Sequence, residues 1–218
     1  MAEAAVIVPG PSIPTQPWWP AVHSMVNAAF DVKNHDVFPP TWTRLRADTS
    51  QGAQGLAEEL GPLGHFIVIL QEGRPVASTG VLPFRGENWI NEIRSTESKV
   101  DSANEGLSNP SSRPEPPFEQ QAIGDWEICC FCVHPEHRKR GLSRVLLQAV
   151  IDQVKSLGAR RLVANYSVED TGDFWPSVGF TTPVGTGGVL KKGFTPEPGV
   201  MEGLRADVHF KMSLKVLE

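Results

Sequence analysis

The segment Cys132-Val-His-Pro-Glu-His-Arg-Lys-Arg-Gly-Leu-Ser-Arg-Val-Leu-Leu147 combines residue types suited to binding an anion. It reads as the end of an apolar strand, a basic turn with one glycine, and then an amphipathic helix. A helix start leaves backbone N–H groups unpaired and carries the positive end of the helix dipole, so this order builds an anion site. Arg138, Lys139, Arg140 and Arg144 surround that start with cationic side chains. Gly141 lets the backbone approach a bulky ligand closely. A phosphate-bearing ligand is expected there. A plain charged turn or a basic address signal uses similar residues, but neither needs the strand before and the sharp helix after.

Arg138-x-x-Gly141-x-Ser143 resembles the Arg/Gln-x-x-Gly-x-Gly/Ala signature of the GCN5-related N-acetyltransferases (GNAT). Val133-His-Pro-Glu-His before it and Trp175-Pro-Ser-Val-Gly179-Phe180 downstream are similar to the same family. The likeness spans roughly residues 18 to 215. Serine replaces the third small residue and adds a hydroxyl near the phosphates. The resemblance implies acetyl-CoA as co-substrate. Its pyrophosphate would lie on the backbone amides of Arg138, Lys139, Arg140, Gly141, Leu142, Ser143 and Arg144. Its pantetheine arm would pair with Phe131, Cys132 and Val133 like an added strand.

Acyl transfer from a thioester to an amine needs a neutral amine, a polarised carbonyl and a protonated leaving thiolate. An amine with pKa near 10 is mostly charged at neutral pH, so a base helps. Glu127 lies eleven residues before Arg138, an offset similar to the general-base glutamate of the histone-acetylating branch. A carboxylate on an otherwise apolar strand suits base work. It is equally a residue that sits at a strand edge or pairs with an arginine. Asp125 and His134 are substitutes. By the same family offset, the Phe131 N–H would polarise the carbonyl. Many relatives place a tyrosine where this chain has Trp175, and an asparagine where it has Val168. Indole N–H donates but is not a usable acid, so Trp175 would bond the sulfur without protonating it. Tyr166, the single tyrosine, is a stand-in acid or a core ring. His209, on the polar face of the last strand, borders the acceptor site or is structural.

All three cysteines, Cys129, Cys130 and Cys132, fall within four residues of one expected strand. Strand alternation puts Cys130 and Cys132 on one side and Cys129 on the other. No second cysteine cluster exists to complete a zinc site, so no metal is expected, and core thiols in a reduced compartment are the expectation. The net charge of −5 argues against nucleic acid as a partner. No apolar run approaches the ~20 residues of a membrane span. The N-terminus has no secretory pattern, so a cytoplasmic location is expected.

The elements that would position these residues follow from periodicity. Residues 1–16 form a Pro-rich lead, with Ala5–Val8 as a candidate strand. Helices are expected over Trp18–Phe30 and Ser50–Leu60, the second stopped by Gly61-Pro62. His65–Gln71 and Pro75–Pro83 read as a hairpin turning at Glu72-Gly73-Arg74. Residues 92–122 are polar and Pro/Ser-rich, an insertion that either covers the substrate groove or is a decoration. Asp125–Val133 is the central strand. The helix Gly141–Leu157 would face the sheet with Leu142, Val145, Leu146, Ala149, Val150, Val154 and Leu157, and end at Gly158. Arg160–Tyr166 returns parallel to the central strand because a helix connects them. Asp170–Val178 reads as a short helix. Ala206–Lys215 closes the sheet with Val208, Phe210, Met212 and Leu214 inward.

The expected fold is a single α/β domain over residues 1–218. Its GNAT-like mixed sheet is mostly antiparallel, with two splayed parallel strands, and is flanked by helices. The expected activity is acetyl transfer from acetyl-CoA to a primary amine of a small molecule, by direct attack in a ternary complex. Two alternatives stand beside it: a protein N-terminus or lysine as acceptor, and a catalytically degenerate CoA-binding sensor.

Overall fold

The computed structural model describes residues 5–86, 124–185, 187–195 and 201–218. The insertion expected at 92–122 lies outside the described residues. Among the described residues, eight strands form one sheet in the order β1-β2-β3-β4-β5-β8-β6, with β7 also on β8. The strands are β1 (Ala5–Pro9), β2 (His65–Gln71), β3 (Arg74–Pro83), β4 (Asp125–Val133), β5 (Arg161–Ser167), β6 (Thr182–Pro183), β7 (Gly188–Leu190) and β8 (Val208–Val216). Every neighbouring pair is antiparallel except β4 and β5. The β2–β3 turn is tight because Glu72 and Gly73 both take positive φ, at 52° and 77°, the twist a two-residue hairpin wants.

Two helices cover one face. α1 (Trp19–Asp31) and α2 (Thr49–Leu60) pack Trp19, Val22, Met25, Val26, Leu56 and Leu60 onto Phe66, Val68 and Leu82. Asp48 caps α2 by accepting the Gln51 N–H at 2.8 Å, satisfying one of the unpaired donors of a helix start. Trp19 Nε1 donates to the Thr49 carbonyl at 2.9 Å and ties the two helices. Residues 10–15 of the Pro-rich lead form a 3-10 turn that buries Ile13 in the same cluster.

The opposite face carries α3 (Leu142–Ser156), whose Leu142, Leu146, Leu147, Val150 and Val154 are buried. Val145 and Leu157, expected toward the sheet, are each 43% exposed. The buried stripe is the 142–146–150–154 row, widened on the Leu147 flank. Val145 lies one residue to the other side of that row, and Leu157 falls past the last turn. Gly158, with φ 83°, ends the helix as expected. The expected Asp170–Val178 helix is two single turns, α4 (Val168–Thr171) and α5 (Phe174–Ser177). Gly172 separates them at φ 50°, ψ −131°, a backbone state no helix continues through.

A bulge in β4 corrects the cysteine alternation. Ser78 faces Cys132 and Gly80 faces Cys129, so one extra residue of β4 lies between those pairs. Cys130 takes that slack at φ 51°, a rare state for a residue with a Cβ. All three cysteines therefore join the cluster under α1 and α2, while Ile128 and Phe131 face α3. Gly80 makes the close approach possible. A Cβ there would stand 2.6 Å from Cys129 Sγ and 2.7 Å from Leu60 Cδ2.

Candidate active site

The parallel pair opens where the site lies. Cα register between β4 and β5 runs from Asp125–Arg161 to Ile128–Ala164 and stops. Past that point β4 stays paired with β3 through Val133, and β5 stays paired with β8 through Ser167. Each strand keeps its outer neighbour, so the gap falls between them. A cavity of about 770 Å³ fills it, lined by Glu127 through Val133 on one side and Asn165, Tyr166 and Ser167 on the other.

The basic loop forms one end of this cavity. Arg138, Lys139, Gly141, Leu142 and Ser143 line it, whereas Arg140 and Arg144 stand outside on the surface. Lys139 and Gly141 hold positive φ, at 62° and 82°. The backbone N–H groups of Lys139 to Ser143 donate to no acceptor among the described residues. The first helical bonds run from Arg144 and Val145 to the Gly141 carbonyl, at 3.0 and 3.3 Å. A Cβ on Gly141 would meet nothing within 4 Å, so the space beside it is open to a ligand. Unpaired amides at a helix start are an arrangement that can hold an anion. The Arg138 guanidinium turns elsewhere: Nη2 donates to the Ala29 carbonyl at 2.9 Å, capping the last turn of α1.

Glu127 stands at the other end. Its carboxylate is 1% exposed and held by Arg85, with Nη2 2.5 Å from Oε1 and Nε 3.2 Å from Oε2. The arginine partner weighed in the sequence is therefore present, and the carboxylate lines the cavity while bound to it. A second pair stands nearby: Arg44 Nη2 reaches Glu59 Oε1 at 2.9 Å and Oε2 at 2.7 Å. Burial works against the Arg44 charge, and Glu59 beside it more than restores it. Asp125 is forked by Arg161 at the closed end of β4 and does not line the cavity. His134 and His209 also stand outside it. His134 Nδ1 accepts from the Glu136 N–H, and His209 Nδ1 pairs with Glu169 at 2.7 Å.

Rings line the wall between the two ends. Trp175 is 5% exposed, and its Nε1 is buried without a hydrogen-bond partner among the described residues. Its ring lies 5.3 Å from Phe131 and 6.2 Å from Tyr166. The Tyr166 hydroxyl is 3.3 Å from Ser213 Oγ. Asn165 Oδ1, also on the wall, is another buried polar atom without a partner among the described residues. Among the described residues the three thiols are free and buried. Burial pushes Cys130 up to about 12 and Cys132 up to about 11, and raises Cys129 well above its ordinary value. They are protonated packing groups at neutral pH.

The sequence profile of the Acetyltransferase (GNAT) family matches residues 27–180. The chain belongs to the GNAT acetyltransferase family. Its co-substrate is acetyl-CoA, and the open amides, the strand gap and the unpartnered indole N–H fit a phosphate-bearing thioester with a long arm. The fold is also that of solved relatives. A ribosomal-protein-alanine N-acetyltransferase from Brucella melitensis has TM-score 0.56 at 18% identity, covering 98% of this chain and 99% of its own. A protein of Salmonella typhimurium named as an acetyltransferase, solved with its cofactor acetyl-CoA, has TM-score 0.52 at 17% identity, over 100% and 95%. A CoA-dependent acyl-homoserine lactone synthase has TM-score 0.57 at 12% identity, over 100% and 84%. No curated protein matches the chain. Among the described residues, no helix is long and apolar enough to cross a membrane.

Sequence reasoning missed Arg44, Glu59, Arg85 and Asn165. Arg85 had one available signal. It follows β3 by two residues, and β3 pairs with β4 so that Leu82 faces Glu127. That register depends on joining strands far apart in the chain. Arg44 lies in the connection between α1 and α2, where no periodicity reports direction.

Proposed function

We propose that this protein moves the acetyl group of acetyl-CoA to a primary amine of a small molecule, by direct attack in a ternary complex. One observation carries the reading: the open amides of the basic loop and the Glu127 carboxylate line a single cavity. A donor on the loop and an acceptor at Glu127 would meet at the β4 bulge.

The residues divide the work. Backbone amides from Lys139 to Ser143 bind pyrophosphate, and Lys139 adds charge. The unpaired stretch of β4 from Phe131 to Val133 holds the pantetheine arm, and the Phe131 N–H polarises the thioester carbonyl. Glu127 is fixed in place by Arg85. A carboxylate accepts about four hydrogen bonds, so the three from Arg85 leave room for one from the acceptor ammonium. Glu127 takes one proton, the freed amine attacks the thioester carbon, and the amide forms as the C–S bond breaks and the adduct loses its remaining ammonium proton to solvent. Trp175 Nε1 donates to the sulfur as it gains charge, and Tyr166 supplies the proton to the leaving thiolate.

A panel of primary amines tests this by free-thiol release with saturating acetyl-CoA. Turnover with a subset of small amines is the expected result. Turnover only with protein N-termini or lysine side chains would move the acceptor to the protein class. Binding of acetyl-CoA without turnover on any amine would make the chain a sensor.

A further inference from the structure

Arg44 stands at the acceptor end with donors to spare. Arg85 spends its Nε–Nη2 edge on Glu127. Arg44 meets both oxygens of Glu59 through Nη2 alone. Its Nε and Nη1 carry three further N–H donors, without a partner among the described residues. A guanidinium cannot shed its charge, so those donors stay cationic at any working pH. Arg44 lines the cavity, and its side chain is 25% exposed. It lies against the β4 bulge, close enough for its charge to act on Cys130.

The rings Phe30, Phe38, Trp42 and Phe210 supply the apolar part of the remaining wall, with Lys33, Thr43 and Asp170 also lining the cavity. Trp42 is fixed there by its Nε1 bond to the Glu202 carbonyl at 2.6 Å. A simple amine would meet Glu127 and the rings and leave Arg44 unanswered. An anionic oxygen on the acceptor would complete it.

We propose that the acceptor is a zwitterion with an apolar body, an α-amino acid class in which Arg44 takes the carboxylate while the amine lies at Glu127. The proposal rests on the acyl-transfer reading above and names its substrate class. Glu59 is then a positioning residue that orients the Arg44 guanidinium and keeps its net charge local.

The test compares matched pairs under saturating acetyl-CoA: L-phenylalanine against 2-phenylethylamine, and L-leucine against 3-methylbutylamine. The expected result is kcat/KM higher for the acid by at least about tenfold in each pair, because a site built for a polar group rejects the analogue lacking it. Arg44→Met with Glu59→Gln removes both charges together, so no lone buried charge is left to unfold the chain. That variant should bring the acid-to-amine ratio to within about twofold of one. Equal or better use of the amines by the wild-type protein overturns the proposal, as does a preference that survives the double substitution. Calorimetry of each compound onto the protein–CoA complex covers the case of no turnover. There, tighter binding of the acid upholds the proposal, and no heat from either compound overturns it. Retained acetyl-CoA binding in the same sample confines such a failure to the acceptor class, whereas its loss fails the acyl-transfer reading too.

Discussion

Arg85 closes a two-point fork on Glu127, with Nη2 2.5 Å from Oε1 and Nε 3.2 Å from Oε2. The carboxylate is buried, the guanidinium is 24% exposed, and the backbone N–H of Arg85 adds a third contact at 3.4 Å. Removing the cation strands a buried charge. Arg85→Met is expected to cost about 3 kcal/mol, read by urea denaturation at neutral pH. Adding Glu127→Gln to it should recover part of that loss. A loss under about 1 kcal/mol would mean solvent already screens the pair.

Gly141 links backbone conformation to ligand affinity. Its φ of 82° and the open space beside it both disfavour a side chain once phosphate is present. Gly141→Asp should weaken acetyl-CoA binding at least about tenfold by calorimetry, since the Cβ strains the loop and the carboxylate repels phosphate. An unchanged Kd would move the cofactor off this loop.

Trp175 offers a hydrogen that nothing else in the described fold accepts. Trp175→Phe keeps an aromatic ring beside Phe131 and Tyr166 but removes the donor. The expected effect is a fall in kcat of about tenfold with little change in acetyl-CoA affinity, since a bond to a charged partner forms only as the thiolate develops. Equal losses in kcat and affinity would make the indole a packing group. Tyr166→Phe should lower kcat further when the acyl donor carries a poor thiol leaving group.

The cysteines set an alkaline limit. Burial raises Cys130 to about 12 and Cys132 to about 11, from an ordinary value of 9.0. The folded state holds these protons more tightly than the unfolded chain, so their stabilisation is complete below about pH 9 and lost as pH rises toward 12. Urea midpoints should fall between pH 9 and 11, and Cys130→Ala should flatten that slope. The native thiols should also resist iodoacetamide at pH 8 and react fully in urea. Rapid native labelling would contradict the burial.

How much the sequence disclosed depended on how local each device is. The strand, basic turn and helix start around Gly141 were legible because they lie within one short stretch. The parallel pairing of β4 and β5 followed from the helix between them. The bulge at Cys130 was not legible, because its φ is imposed by pairing with Ser78 and Gly80. Gly172 hid a break that periodicity read as one helix. The Arg44–Glu59 and Arg85–Glu127 pairs escaped because each joins residues from elements that only tertiary packing brings together.

The most direct test is Glu127→Gln assayed twice on one folded preparation, for acetyl-CoA affinity and for amine-dependent thiol release. The account predicts turnover lower by about 10²-fold or more, the scale of general-base catalysis, with acetyl-CoA affinity unchanged because the loop that binds it is untouched. Turnover within a few-fold of wild type would contradict it and leave the cavity without its base.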